Sequence, residues 1–385
     1  MVMRSLKTLS FVGGLVIPAF ILGACGSGTP GTTGSTGAII GVATPESGPD
    51  GSIGVPIANG VQLAVQLANA KGGLPGTLGF QSEDDQETPD VGVTVARQYC
   101  STPAVIGVVG DLASTVTQAT QGIYNGCNLV QVTPTSSLDN LSQKGYHNFF
   151  RTTALNKDYG GQTVAYVAKL PGVKTIATID DNESTTIGLA QTFVSDAKTL
   201  GLTTLNPVHV TTNGADFRGA LTPLIAEKPD LIYLSLFVND AALVDKQAQG
   251  LGYTGLFMGI DGDIAPTFAQ LAGPGAEGHV YFSTVGLDPT AAPTSAVFAA
   301  AYKKTFGVAA DTFAANAFDA ATAIIDAWKA AGTNDRKTII AKMAHVTFQG
   351  TTGTISFTST GDLTRPIVGI WELKNGQIGY LAAAQ

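Results

Sequence analysis

Residues 105–134 read VIGVVGDLASTVTQATQGIYNGCNLVQVTP, and their order decides the fold. VIGVVG is a continuous apolar run of the kind a parallel sheet buries on both faces. A helix opens at Ser114, and a second apolar run, LVQVTP at 129–134, follows it. Strand, helix and strand in so short a span, with so little loop, describe two parallel strands and their crossover. Working toward the N-terminus, a helix is predicted over 89–100, a strand at TLGFQSED (77–84) and a strand at AIIGVATP (38–45). Between the last two, Ile57, Val61, Ala64, Val65 and Ala68 recur at helical spacing until KGG stops them.

Toward the C-terminus the alternation repeats. After YHNFFRTT (146–153) come KTIATID (174–180), LNPVHVT (205–211), LIYLSLF (231–237), LFMGID (256–261) and HVYFST (279–284). Helical segments such as 186–200 and 240–251 separate them, helices dominate 294–346, and 351–385 reads as short strands. Asn375-Gly376, between WELK and QIGYL, predicts a type I′ hairpin turn. The class is α/β, with two doubly wound series alike in architecture and not in sequence.

The N-terminus is of another kind. Arg4 and Lys7 lead an apolar run from Phe11 to Leu22, and the small residues Gly23 and Ala24 precede Cys25. This is the layout of a secretory signal, with too short an apolar core for a comfortable bilayer span. Leu22-Gly23-Ala24-Cys25 resembles a bacterial lipobox, which implies cleavage before Cys25 and a lipid on its thiol. Residues 26–37 are all Gly, Ser, Thr or Pro, a flexible tether with a reach of roughly 17–21 Å. The expectation is a signal peptide at 1–24, anchor and tether at 25–37, and a body of 348 residues, enough for two domains.

Composition excludes several functions. The chain of 385 residues carries 21 bases and 29 acids, and without Arg4 and Lys7 the bases fall to 19. There is no basic surplus to displace phosphate counterions, so nucleic acid is not a partner. GxGxxG occurs at 26–31, in the tether, and at 250–255 and 273–278, each after a helix and before a strand, which reverses the dinucleotide order. GxxxxGK[ST], GxSxG and CxxC are absent, and the four histidines are scattered. No nucleophile–base pair, cofactor motif or metal site is visible, so an enzyme is not expected. The acidic runs Glu83-Asp84-Asp85 and Asp180-Asp181-Asn182-Glu183 read as solvated loop acids more readily than as cation sites. With Cys25 lipidated, Cys100 and Cys127 remain. Each ends a helical segment before a strand, and neighbouring parallel strands would bring them together as a disulfide. Two buried free thiols are the alternative.

Several blocks, taken in order, resemble the type I periplasmic binding proteins, specifically the branched-chain amino-acid binding proteins of ABC importers. They are IIGVATPESGPDGSIG, NAKGGLPG, GVVGDLASTVTQA, VQVTPTSSLDNLSQKGYHNFFRTT, LFMGIDGD and GTISFTSTGDL. The resemblance implies two Rossmann-like lobes joined by three hinge crossings, near 153–157, 283–288 and 350–354. Lobe 1 would hold 38–155 plus 286–351, and lobe 2 156–285 plus 352–385.

Ser114, at a helix start beyond a strand end, suits a carboxylate. The positions matching Thr135 and Ser137 hold ligand carboxylate and ammonium groups in the family, and that of Asp261 an acid for the ammonium. The family's leucine binders surround the ligand with tyrosines, where this chain has Ile53, Thr185, Phe237 and Phe318. The resemblance further implies an extracytoplasmic, lipid-anchored monomer that binds a small ligand and docks on an ABC permease and its ATPase, with no cofactor. A sensor serving a separate signalling partner, and a carrier of an amine-free carboxylate or amide, are the alternatives.

Overall fold

The computed structural model describes residues 37–48, 50–286, 288 and 293–384. The expected signal, the lipobox cysteine Cys25 and nearly all of the tether lie outside the described residues.

The described residues open with β1 (Ala38–Thr44), α1 (Gly51–Lys71), β2 (Leu78–Asp84), α2 (Pro89–Ser101), β3 (Val105–Gly110), α3 (Ser114–Gly126), β4 (Val130–Thr133) and β5 (Phe149–Arg151). These five strands form one parallel sheet in the order β2-β1-β3-β4-β5. All six residues of β3 are buried, as its unbroken apolar run requires. In α1, Ile57, Val61, Ala64 and Val65 face the core, and Gly72, at φ 74°, ends the helix.

A second series follows: α4 (Asn156–Val167), β6 (Thr175–Asp180), α5 (Ser184–Thr199), β7 (Thr203–Thr204), β8 (Val208–His209), α6 (Arg218–Ala226), β9 (Leu231–Ser235), α7 (Val238–Gly250), β10 (Leu256–Gly259), α8 (Pro266–Ala272) and β11 (Val280–Val285). LNPVHVT is thus not one strand. Pro207 has no N–H for the ladder, and β6 is paired by two fragments on either side of it. The chain ends with α9 (Pro293–Phe306), α10 (Thr312–Ala331), α11 (Arg336–Met343), the hairpin β12 (Thr347–Gln349) and β13 (Thr354–Ser356), then β14 (Val368–Lys374) and β15 (Gln377–Ala383). The second sheet runs β15-β14-β11-β10-β9-β6-β7, with β8 beside β6 and with β14 and β15 antiparallel. Asn375 and Gly376 have φ of 53° and 70°, the backbone that a type I′ turn demands.

Each sheet packs into its own lobe. Helices α1 and α10 cover one face of the first sheet, and they approach closely at Gly60, where an added Cβ would stand 2.2 Å from the Ala314 carbonyl. The chain leaves lobe 1 between Arg151 and Asn156 and returns to it after Val285.

The expected third crossing at 350–354 is corrected. The buried Asp319 of α10 accepts the Thr351 and Thr352 N–H groups at 2.8 and 2.9 Å, clamping this segment to lobe 1. Ile355, Phe357 and Leu363 then enter the lobe 1 core. The chain crosses only around 365–367, where Gln162 of α4 binds the Pro366 carbonyl and the Val368 N–H. Residues 352–364, assigned to lobe 2 from the sequence, belong to lobe 1.

Cys100 and Cys127 form a disulfide with Cα atoms 5.7 Å apart, joining the C-terminal ends of α2 and α3. Beside it, Arg336 donates to the carbonyls of Tyr99, Cys100, Thr102, Val105 and Cys127. This guanidinium satisfies carbonyls that two helix ends would otherwise leave open. No helix among the described residues is long and apolar enough to cross a membrane.

Candidate functional site

Strand order reverses beside β1 in the first sheet and beside β6 in the second, and ligands of open α/β sheets collect beyond the carboxyl ends of strands at such points. A cavity of about 100 Å³ lies there, lined from both lobes. Lobe 1 contributes Asp50, Ile53, Glu87, Leu112, Ala113, Ser114, Thr135, Ser137 and Phe313. Lobe 2 contributes Tyr159, Thr185, Thr186, Leu189, Phe237, Ile260, Asp261 and Gly262, with Thr153 and Val285 at the crossings. The volume suits a single small molecule and not a peptide.

Seven of the eight residues singled out from the sequence line this cavity; Phe318 does not. Its ring packs against Phe298 at 4.9 Å, on the α1 side of α10. Phe313 takes the cavity position instead. Five residues along a helix turn a side chain by about 140°, so the two rings cannot share a face.

The lobe 1 wall is built from two loops laced together. Thr133 Oγ1 donates to the Asp111 carbonyl at 3.0 Å, Thr135 Oγ1 to the Leu112 carbonyl at 2.7 Å, and Ser136 Oγ to the Asp111 carbonyl at 3.1 Å. Ser114 is the first residue of α3 and not its cap, which is Ala113; its Oγ accepts the Leu138 N–H at 3.4 Å. Beneath them the buried Asp111 accepts Thr120 Oγ1 at 2.5 Å and Gln131 Nε2 at 3.1 Å, and burial pushes its carboxyl up to about 8. With its proton given to Leu112, the Thr135 hydroxyl presents lone pairs to the cavity and so suits a ligand donor.

Across the cleft, Asp261 follows β10. Its Oδ1 accepts the Gly262 N–H at 3.0 Å, and burial raises its carboxyl to about 6. Phe237 lies against Gly262, where an added Cβ would meet its ring at 3.5 Å. The Tyr159 hydroxyl donates to the Ser283 carbonyl at 2.6 Å, tying α4 to β11 under the cavity floor.

Asp50, Glu87, Tyr159, Thr153 and Phe313 were not anticipated. Glu87 is raised to about 8 by burial first, then by a hydrogen bond and like charge from Asp50 and the charges of Asp85 and Glu183. Glu87 sits just beyond the acidic run at 83–85, a signal that could have pointed to it. The runs are solvated only in part: Asn182 and Glu183 are exposed and Glu83 and Asp84 half-buried. Asp85, Asp180 and Asp181 are buried; Asp180 meets His209 Nδ1 at 2.8 Å and Asp181 accepts the Glu183 N–H at 3.2 Å. No group of three or more potential ligands able to hold a metal ion occurs among the described residues. Three acids and no base line the cavity. Such a surface takes up a ligand that brings a cation or several hydrogen-bond donors.

Two lobes, three crossings and a polar-rimmed apolar cavity between strand ends define a bilobal small-molecule binding protein. The periplasmic binding protein family matches this chain over residues 39–376, and the chain belongs to that family. It is 26% identical over 342 residues to the Leu/Ile/Val-binding protein homolog 3 of Brucella melitensis, covering 88% of this chain and 92% of that one. Its fold is that of the leucine-binding protein LivK from Thermotoga maritima, with a TM-score of 0.81, 24% identity and coverage of 90% and 98%. A solute-binding protein of an ABC transporter from R. palustris, in complex with benzoate, superposes with a TM-score of 0.78 at 21% identity, covering 90% and 96%.

Proposed function

We propose that this protein is the extracytoplasmic solute-binding component of an ABC importer, lipid-anchored through Cys25, and that it takes up a branched-chain or other apolar amino acid. The observation that carries the ligand class is Asp261: a carboxyl lining the cavity, with no basic side chain beside it, opposite a wall of hydroxyl and N–H groups. The ammonium meets Asp261 and Thr135, the carboxylate meets the Ser114 and Ser137 side, and Ile53, Phe237 and Phe313 face the side chain. Closure of the lobes joins these contacts and desolvates the ligand. Binding alone is the task; the residues present suggest no covalent step. The names of the Brucella and Thermotoga relatives agree with this ligand class.

A second reading has its own support. Thr185 lacks the reach of a phenol, and the benzoate-bound relative has the same fold, so an amine-free aromatic acid is the competing ligand.

A thermal-shift screen of the mature domain against amino acids, their amides and aromatic acids decides between them. Ligand at 100 times its dissociation constant adds about 2.7 kcal/mol. Stabilisation by leucine, isoleucine or valine is expected; stabilisation by benzoates alone would transfer the assignment to the second reading.

A further inference from the structure

Arg151 closes β5 with a side chain that is 0% exposed. Its Nη1 donates to the carbonyls of Ser136 and Leu138 at 2.9 and 3.1 Å, the two residues flanking Ser137. Its Nε pairs with Asp362 Oδ1 at 2.8 Å, its guanidinium carbon lies 5.3 Å from the centre of the Phe149 ring, and its backbone N–H binds the Gly361 carbonyl at 3.0 Å. None of these atoms lines the cavity. A buried guanidinium is costly unless its charge is matched, and this one carries its own counter-ion in Asp362.

The consequence follows from peptide geometry. The Ser136–Ser137 bond is trans, and in a trans peptide the C=O and the following N–H point in opposite directions. With the Ser136 carbonyl drawn down to Arg151, the Ser137 N–H points the other way. Ser137 lines the cavity, and no acceptor takes its N–H among the described residues. A side chain at 151 without a donor would let this peptide rotate, because among the described residues nothing else bonds the Ser136 carbonyl.

We propose that Arg151 is a positioning residue for ligand recognition: by gripping the Ser136 and Leu138 carbonyls from below, it fixes the Ser137 N–H as a donor to the ligand's carboxylate, and Asp362 holds the guanidinium for that task. This rests on the reading that the ligand has a carboxylate.

The test compares wild type with Arg151→Met, Arg151→Lys and Asp362→Asn, titrating leucine and leucinamide calorimetrically. Loss of an N–H donor costs a carboxylate more than the neutral amide carbonyl of leucinamide, so in Arg151→Met the leucine constant should rise about 30-fold and the leucinamide constant several-fold less. Lysine keeps the charge without the fork and should fall between. Asp362→Asn should move the ratio in the same direction by less, which keeps the test valid should the methionine variant fail to fold. Equal losses for both ligands, or none, would overturn the proposal. Hydrogen exchange of ligand-free protein over 133–141 gives an answer that needs no ligand. Exchange at least about 10-fold faster in Arg151→Met, with α10 protection unchanged, is expected; unchanged exchange sinks it. Wild type that ignores both leucine and leucinamide refutes the amino-acid reading instead, and exchange then decides on Arg151 alone.

Discussion

Asp261 and Glu87 are carboxyls in one cavity, and pH separates them. Asp261 must be ionised to receive an ammonium, and burial raises it to about 6 in the ligand-free protein. Below pH 6 a proton competes with the ligand, so the leucine dissociation constant should rise as pH falls through 6, by up to about tenfold per unit. Glu87 titrates at about 8, raised by burial and by its contact with Asp50. Above pH 8 Glu87 loses its proton and adds negative charge to the lobe 1 wall proposed to receive the ligand's carboxylate, so affinity should fall again. The predicted profile is a plateau between about 6 and 8, measured by calorimetry in buffers of matched ionic strength. Asp261→Asn should remove the acid limb and Glu87→Gln the alkaline one; a flat profile in wild type would contradict both assignments. Asp261 was legible because a strand end announces it. Asp50 and Glu87 were not, because the turn before α1 and the turn after β2 meet only once β1 and β2 pair.

Among elements, the strands and helices of both lobes were readable from local pattern: runs such as VIGVVG have only one environment that accepts them. Misreadings arose where distant partners decide. Pro207 split an expected strand, five residues of helical phase exchanged Phe318 for Phe313, and the β12–β13 hairpin was drawn to lobe 1 by burial of Ile355 and Phe357. The C-terminal ends of α2 and α3 are held by the Cys100–Cys127 disulfide and by Arg336 of α11. The bridge closes a 28-residue loop, which the chain-entropy description values at about 3.6 kcal/mol. Replacing both cysteines with serine should lower the unfolding free energy by up to that amount in denaturant titration. Leucine affinity should change little, since neither sulfur lines the cavity. A stability equal to wild type, or free thiols in native exported protein, would refute a structural bond.

At the scale of the whole molecule, two sheets place their switch points on one cavity, and three crossings join the lobes around it. The α/β order and the family resemblance made this arrangement readable before any coordinate. The third crossing was not, because Asp319 fixes Thr351 and Thr352 through contacts more than thirty residues away in sequence. The central proposal is that the cleft closes on an amino acid whose ammonium is paired with Asp261. The most direct measurement titrates leucine and its keto acid into wild type and Asp261→Ala by calorimetry. Wild type should bind leucine, and the variant should lose about 2–5 kcal/mol for leucine and almost nothing for the keto acid. Wild type that binds the keto acid and not leucine would contradict it.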